Sequence, residues 1–352
     1  MGEVEHKEKG DQCGVRSIIL AGIRADMNAR IRFASLAAGA GLGSYGAELS
    51  GAQCVSTVEI DDARRKCLAF HYPTARHLAD LRTVCGRDLC DPNLLFVSTP
   101  CPSFSVGNRM AEGLNDDRGA LLFEAIRLVD EVRPEVVLIE NVPAMLYSTR
   151  VKDVETCLNL IEGLGYHLIF RETLSSQNWL AQSRKRLFLV YVRKDRPVNR
   201  VAFRVPSSVV NLSSVPQNWL GDVVKPETLS NLRNRINRHG KPGFEHLADS
   251  FIGVGKVPDS WRSKPIFHCN HSNSSFGIGH MVTLTKTGRA IVRWDGQVHK
   301  LSVTAHEELM GLPAGFTACI GSDAQRRHAC GDGIVVPVAQ AVFDWIGKVL
   351  SA

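Results

Sequence analysis

The sequence predicts an α/β protein with a doubly wound, mostly parallel sheet and a second, smaller domain rich in loops and strands. Three observations support this prediction. Short apolar runs such as residues 94–97 alternate with stretches of helical periodicity, which is typical of parallel strands joined by crossover helices. A glycine-rich turn follows the first apolar run. Beyond about residue 196, prolines become frequent and helical periodicity fades, which indicates a separate unit.

The pattern divides the chain into four predicted parts. Residues 1–30 form an N-terminal extension, 31–195 a catalytic domain, 196–317 a recognition domain, and 318–352 a segment that completes the catalytic domain. The chain has 352 residues, of which 44% are apolar and 22% charged, as expected for a globular protein. Its ten cysteines show no framework spacing, which favours reduced thiols in the cytoplasm. No apolar run approaches the length of about 18 residues that a membrane span needs.

The first predicted strand, residues 31–37, leads into a glycine-rich turn and a helix at 44–50. Such a turn brings backbone N–H groups and a helix N-terminus close to a ligand. The second predicted strand, 55–61, carries Glu59, where a carboxylate can accept ribose hydroxyls. Gly41, Gly43 and Gly46 also match the dinucleotide fingerprint. An oxidoreductase that uses a nicotinamide cofactor is therefore one alternative.

The fourth predicted strand, residues 94–97, breaks into a cysteine flanked by prolines, Pro100-Cys101-Pro102. The carboxyl edge of an open α/β sheet is where ligands bind, and flanking prolines keep the segment extended. Cys101 is therefore a candidate nucleophile, with an inert buried thiol as the alternative. The long polar loop 103–118 that follows is predicted to close over a substrate.

A carboxylate and two arginines are predicted to lie near this cysteine. Glu140 lies near the end of the apolar strand 136–143, where burial is costly unless the charge is used or paired. Parallel neighbouring strands would place Glu140 beside Cys101. Arg184 and Arg186 are one residue apart in an extended segment, so both side chains point to the same side.

The positive charge is concentrated in the recognition segment. Between Pro197 and Gln297 there are 13 Lys and Arg against 6 Asp and Glu, whereas the remainder has 29 against 30. This asymmetry favours a module that binds a polyanion, although a solvated basic face is the alternative. The run 268–271 contains two histidines and a cysteine but lacks a second ligand pair at zinc spacing. No metal site is predicted.

Taken together, these motifs resemble those of the DNA cytosine-5 methyltransferases, over residues 32 to 352. The matches are the turn at 35–41, Pro100-Cys101, Arg118-Gly119, Glu140-Asn141-Val142, the pattern Gln182-x-Arg184-x-Arg186, Gly311-Leu312-Pro313 and the segment 331–338. Ala37 stands where the family usually has Phe, Pro102 where Gln is common, and Asp332 where Asn is usual.

The resemblance implies S-adenosylmethionine as cofactor and S-adenosylhomocysteine as product. It implies that Cys101 attacks C6 of cytosine, that Glu140 acts at N3 and the exocyclic amine, and that Arg184 holds the O2 side. Arg186 is a further predicted catalytic residue. The implied cofactor-binding residues are Leu36, Ala38, Gly39, Gly41, Leu42, Glu59, Ile60, Asp80, Leu81, Pro100, Asp332 and Val335. The implied DNA-binding residues are Ser105, Asn108, Arg109, Arg118, Arg233, Arg235, Arg238 and Lys241.

The implied partner is double-stranded DNA, with a flipped target base. We expect a monomer in the prokaryotic cytoplasm, close to the nucleoid, with a cognate restriction endonuclease as a further partner. The nearest alternative is a transfer-RNA cytosine-5 methyltransferase, because the chemistry is the same. A DNA-binding protein without catalytic activity is a third, which the joint presence of Cys101, Glu140 and Arg184 disfavours.

Overall fold

A computed structural model describes most of the chain. It covers residues 31–100, 120–147, 151–239, 251, 264–270, 275–285 and 289–351. The predicted N-terminal extension and the predicted loop 103–118 lie outside the described residues.

The described residues contain a seven-stranded sheet of order β3-β2-β1-β4-β5-β8-β6. Its strands are β1 (Arg32–Leu36), β2 (Gln53–Val58), β3 (Arg76–Leu78), β4 (Leu94–Val97), β5 (Val136–Asn141), β6 (Tyr166–Ser175) and β8 (Lys185–Arg193). The first five strands in this order, β3-β2-β1-β4-β5, pair in parallel. Strand β8 pairs antiparallel to both β5 and β6. The predicted doubly wound, mostly parallel sheet is confirmed. Several predicted boundaries differ by one to three residues; β2, for example, ends at Val58, so that Glu59 follows the strand.

Helices cover both faces of this sheet. They are α1 (Leu42–Leu49), α2 (Asp62–His71), α3 (Ala120–Val132) and α4 (Val151–Gly163). Successive residues of β4 enter different cores: Leu94 and Phe96 join one apolar cluster, whereas Leu95 and Val97 join the other. This alternation buries both faces of the strand and explains its uninterrupted apolar sequence.

A second sheet lies in the predicted recognition segment. Within the described residues its strand order is β11-β10-β13-β14-β9, and all of its pairings are antiparallel. The strands are β9 (Leu220–Val223), β10 (Ile266–Asn270), β11 (Ser275–Ile278), β13 (Arg289–Trp294) and β14 (Gln297–Leu301). Two short strands, β7 (Gln182–Ser183) and β12 (Met281–Val282), pair in parallel between the two parts of the chain.

The expectation of little helical periodicity in this segment is wrong at one place. Residues Pro226–His239 form a helix, α5, with Pro226 at its start, a position where proline is favourable because the first helical N–H needs no partner within the helix. Seven of the fourteen residues of α5 are Asn, Arg or His between positions 231 and 239, so its apolar stripe is narrow. The polar composition hid the helical period.

Three helices follow β14: α6 (Val303–Leu309), α7 (Asp323–Asp332) and α8 (Val336–Leu350). The sequence missed α7, which begins with a capping box formed by Ser322 and Gln325. Helix α8 packs against α1 so closely that a Cβ on Gly46 would lie 2.6 Å from the Val336 carbonyl oxygen. Helix α8, near the end of the chain, therefore covers a face of the large sheet, whose strands all come earlier in the chain.

One helical stretch among the described residues, 323–350, has the length and hydropathy of a membrane-spanning helix. Its apolar residues have another use, because Val342, Phe343 and Ile346 of α8 are buried in the sheet's core.

Candidate active site

The carboxyl ends of four parallel strands meet at one edge of the large sheet. Leu36, the last residue of β1, is in register with Val58 of β2 and with Val97 of β4, and Val97 is in register with Ile139 of β5. Glu59 and Glu140 each come one residue after these aligned positions. The predicted site residues on these strands therefore share the edge where ligands of open α/β sheets bind.

The turn after β1 has the backbone of a ligand cradle. Ala37, Gly39 and Gly41 all have positive φ, at 56°, 58° and 85°, and a Cβ added at Gly39 would meet nothing within 4 Å. Gly41 precedes Leu42, the buried first residue of α1. The turn thus exposes main chain beside a helix N-terminus, to which a ligand can approach closely.

Glu59 fixes this turn to the next one. Its Oε2 accepts a hydrogen bond of 2.7 Å from the Gly39 N–H, and its Oε1 accepts one of 3.0 Å from the Asp61 N–H. The side chain is buried, whereas the neighbouring Ile60 is 65% exposed. The carboxylate is held with unused acceptor capacity, since each oxygen has two lone pairs. This arrangement fits a cofactor that carries vicinal hydroxyls beside a flat apolar group.

The remaining described cofactor candidates lie around the same end of the sheet, and two carry ion pairs. The guanidinium of Arg82 holds the Asp80 carboxylate at 2.9 to 3.2 Å and lowers its pKa. Asp332 pairs with Arg64 of α2 at 2.7 Å.

The other described cofactor candidates differ in exposure. Leu36, Leu81 and Val335 are buried, Ala38 is half-buried, and Pro100 is exposed. Gly333, beside Asp332, packs closely against Leu42. A Cβ atom added at Gly333 would lie only 2.4 Å from the Leu42 Cδ2 atom. The predicted final motif is thus in direct contact with the cofactor turn.

The segment that leads to Cys101 is tied to β5. The Asn141 side chain donates a hydrogen bond of 3.3 Å to the Thr99 carbonyl oxygen and accepts one of 2.8 Å from the Val142 N–H. Asn141 is thus a positioning residue that was not among the predicted site residues, although it follows Glu140 directly. Cys101 itself, with Ser105, Asn108, Arg109 and Arg118, lies outside the described residues.

Glu140 is a buried carboxyl beside an arginine. It is 7% exposed, and its Oε1 lies 3.0 Å from the Arg186 Nε atom. Burial raises the pKa of Glu140, while the charges of Arg186 and Arg184 oppose that shift. A carboxyl whose pKa is raised keeps its proton to a higher pH, which suits a group that must protonate a substrate.

The two predicted arginines differ in their contacts. Arg184 is buried, and its two terminal nitrogens donate to the carbonyl oxygens of Leu284, at 2.8 Å, and Gly331, at 3.0 Å. Desolvation lowers the pKa of its guanidinium, and the nearby charge of Arg186 adds to this. Arg184 therefore connects β8 to the segment after β12 and to α7, whereas Arg186 contacts Glu140.

The predicted DNA-reading residues cannot be placed in full. Arg233, Arg235 and Arg238 belong to α5, but their side chains, like all of Lys241, lie outside the described part. Helix α5 follows β9, the edge strand of the smaller sheet.

The fold and the strand-edge site together define the methyltransferase class of α/β proteins. A putative DNA modification methyltransferase encoded within an E. coli prophage has the same fold, with a TM-score of 0.64 over 92% of this chain and 100% of that one, at 19% identity. The S. pombe Dnmt2 methyltransferase aligns with a TM-score of 0.58 over 90% of this chain and 97% of its own, at 17% identity.

Sequence comparison gives the family. The model of the C-5 cytosine-specific DNA methylases matches residues 31–348, and the chain belongs to that family. The type II methyltransferase M.HhaI of Haemophilus parahaemolyticus is 23% identical over 91% of this chain and 95% of its own length. The type II methyltransferase M.BsuFI of Bacillus subtilis is 24% identical over 89% of this chain and 71% of its own.

The predicted family, fold and reaction class are therefore confirmed. The protein is a DNA cytosine-5 methyltransferase that takes its methyl group from S-adenosylmethionine and acts on DNA. The family finding thereby excludes the oxidoreductase alternative that the glycine-rich turn had suggested. Bacterial relatives of this kind are cytoplasmic enzymes.

Proposed function

We propose that the protein methylates C5 of a cytosine that is flipped out of a specific double-stranded DNA sequence, through a covalent bond between Cys101 and C6. The observation that carries this proposal is the Glu140–Arg186 pair, a buried acid aligned with the strand that leads to Cys101. An acid in this position answers the main chemical difficulty, because C5 of cytosine is too weak a nucleophile to take a methyl group unaided.

Cys101 activates the ring in the proposed mechanism. Its thiolate adds to C6, and the electron pair of the C5–C6 bond moves toward N3 as C5 becomes nucleophilic. Positive charge from Arg184 and Arg186 favours the thiolate over the thiol. After methyl transfer a water molecule takes the C5 proton, the C5–C6 double bond reforms, the thiolate is expelled, and N3 returns its proton to Glu140.

Glu140 supplies the proton that balances the charge on the ring. Burial raises its pKa, which favours the protonated form that can donate to N3 and accept a hydrogen bond from the exocyclic amine. We assign the orientation of Glu140, and contact with the O2 side of the base, to Arg186. Arg184, for which this second role was expected, already donates both terminal nitrogens to main-chain carbonyls.

When bound, S-adenosylmethionine supplies the methyl group. Gly39, Gly41 and Glu59 are proposed to hold it through main-chain N–H groups and through acceptance of ribose hydroxyls. Ile60 would cover the adenine face, and Asp80 would accept the adenine amino group in place of part of its contact with Arg82. Such an exchange is inexpensive because exposed ion pairs contribute little to stability.

DNA recognition is assigned to the smaller sheet and α5. The basic excess of residues 197–297 would neutralise phosphates, and Arg233, Arg235, Arg238 and Lys241 are the candidates for base edges in the major groove. Ser105, Asn108, Arg109 and Arg118 would contact the DNA around the flipped base. We propose a monomer near the nucleoid, with a cognate restriction endonuclease as its functional counterpart.

The experiment that tests this function combines methyl transfer with covalent trapping. Bisulfite sequencing of DNA that has been exposed to the protein reports both activity and target site. Cys101→Ser should reduce methyl transfer by more than about 10³-fold, as loss of a nucleophile does in other covalent enzymes, while duplex binding persists. DNA that contains 5-fluorocytosine should form a stable adduct with the wild-type protein alone. A fully active Cys101→Ser protein would contradict the mechanism.

A further inference from the structure

A cluster of three potential metal ligands lies away from the strand-edge site. Cys67 and His71 belong to α2, and Cys319 belongs to the short helix Phe316–Ile320. Their ligand atoms, two thiol sulfurs and one imidazole nitrogen, all lie within 4.8 Å of one another. Neither cysteine forms a disulfide, and the methyl-transfer chemistry uses none of the three side chains.

The three ligand atoms surround a single main-chain oxygen. The Phe316 carbonyl oxygen lies 3.8 Å from the Cys67 sulfur, 3.7 Å from the Cys319 sulfur and 2.8 Å from the His71 Nε2 atom. A carbonyl oxygen has two lone pairs and only accepts. Three donors therefore converge on one oxygen, which brings their sulfur and nitrogen atoms within reach of a single ion.

The spacing is close to that of a tetrahedral zinc site. Bonds of about 2.3 Å to sulfur and about 2.0 Å to nitrogen place neighbouring ligand atoms roughly 3.5 to 3.8 Å apart. The upper bound of 4.8 Å in the cluster exceeds this by about 1 Å, a difference that rotation of the side chains can close. The Phe316 carbonyl oxygen or a water can occupy the fourth position.

The ligands are held in place before any ion binds. Cys67 and His71 are four residues apart on α2, so they project from the same face of the helix. The His71 ring stacks on Phe316, with 3.7 Å between ring centroids and 4° between planes. Its Nε2–H donates to the Phe316 carbonyl oxygen, and transfer of the ring proton to Nδ1 frees Nε2 to bind an ion. Little conformational entropy remains to be lost on binding.

The position of the cluster gives an ion both shelter and access. Cys67 is fully buried, whereas His71 and Cys319 are partly exposed, so an ion can enter from solvent and end beside a buried thiol.

We propose that Cys67, His71 and Cys319 form a binding site for one thiophilic metal ion, of which Zn²⁺ is the representative. Two sulfurs and an imidazole are the donors that zinc prefers, whereas Mg²⁺ and Ca²⁺ require oxygen ligands. The ion displaces the two thiol protons and joins α2 to the segment 316–320. Because α2 also carries Arg64, the partner of Asp332, the ion stabilises the wall of the cofactor-binding end. This site is independent of the proposed mechanism.

The test is a metal titration of the full-length protein after removal of metals under reducing conditions. Zn²⁺ is titrated against a chromophoric chelator, and Co²⁺ is titrated as a spectroscopic probe. We expect one equivalent to bind, a thiolate-to-Co²⁺ charge-transfer band to appear, and Tm to rise with zinc concentration. Cys319→Ser should weaken zinc binding by at least about tenfold and remove that band. Cys90→Ser, at an exposed cysteine outside the cluster, should leave both unchanged.

A second measurement keeps the proposal testable if Cys319→Ser does not fold. In the wild-type protein, zinc should slow alkylation of Cys319 but not of Cys90, as read by peptide mass spectrometry. Equal zinc affinity of wild-type and Cys319→Ser proteins would overturn the site, as would alkylation of Cys319 that zinc does not affect. Loss of the bound equivalent in Cys101→Ser, with Cys319→Ser unaffected, would assign the metal to the nucleophile and also overturn it.

Discussion

Two buried glutamates at one sheet edge have different surroundings, and the difference separates binding from chemistry. Glu59 and Glu140 are equally exposed, at 7% each; Glu59 directly follows β2, and Glu140 is the last residue but one of β5. Glu59 accepts hydrogen bonds from two main-chain N–H groups, which leave a rigid acceptor. Glu140 instead faces Arg186 in a desolvated pocket that raises its pKa. Neutral main-chain donors thus suit a cofactor anchor, and a desolvated ion pair suits a group that exchanges a proton.

The largest effect in this comparison should come from Glu140→Gln. The substitution keeps the shape but removes the proton, so we expect kcat to fall by about 10²- to 10⁴-fold, the range of general acid catalysis. Cofactor affinity should remain unchanged. Single-turnover methylation and equilibrium binding of S-adenosylmethionine measure the two quantities separately. A loss of cofactor affinity without a loss of kcat would remove the distinction between the glutamates.

The pH dependence follows from the direction of the Glu140 shift. Because its pKa is raised, the protonated form persists above the range of an ordinary carboxyl, and the activity that needs this proton is lost as pH rises through that pKa. The wild-type rate of the chemical step should therefore have a limb that falls with pH, and Glu140→Gln should lack it. The pH profile of single-turnover rates checks this.

The next effect should come from Arg186→Ala. Without the guanidinium 3.0 Å away, the pKa of Glu140 should rise further and its side chain lose its orientation, and we expect kcat to fall by about 10²-fold. Arg186→Lys keeps the charge but not the planar geometry, so its rate should be intermediate. Arg184→Ala is the matched comparison: it should lower Tm because it removes a buried connection between segments. Equal kcat losses with unchanged Tm in both alanine variants would contradict the assigned roles.

Glu59→Gln should weaken cofactor binding with little change in kcat. An amide has only one oxygen, so one of the N–H groups of Gly39 and Asp61 loses its acceptor, which costs about 1–3 kcal/mol. We expect KM for S-adenosylmethionine to rise by about 10- to 100-fold. Kinetics at saturating cofactor supply the control, because kcat should then recover.

The smallest effect should come from Asp332→Asn. The substitution removes the charge but keeps an oxygen that can accept from Arg64. A partly exposed ion pair contributes about 0–1 kcal/mol, so cofactor KM should change by less than about threefold. A tenfold change would place Asp332 in direct contact with the cofactor, as the sequence predicts.

The sequence predicted the structure best where a run of residues fits only one kind of environment. The apolar run of β4 and Glu140 near the end of β5 predicted two neighbouring parallel strands with a site at their carboxyl ends. An apolar run of this length fits a strand that is buried on both faces, which occurs mainly in parallel sheets. The roles of Arg184 and Arg186 could not be separated in this way. Both project to the same side, and their difference depends on carbonyls of Leu284 and Gly331, which lie about 100 or more residues away in sequence.

Helix α5 and the cluster around Cys67 were missed for related reasons. The polar residues of α5 left too narrow an apolar stripe to reveal a helical period. Cys67 and Cys319 are brought together only by the packing of α2 against the segment 316–320, so no local spacing indicated a metal site. Tertiary contact between distant segments, in each case, decided what the local pattern could not.

The packing of α8 on α1 also sets an order of events during synthesis. Helix α1 and the cofactor turn leave the ribosome early, but the surface around Gly46 stays uncovered until Val336 and the rest of α8 have been made. Domains begin to fold as they emerge, so both sheets can form before α8 covers the face of the large sheet that carries α1. We therefore expect active enzyme to appear only when α8 has been added.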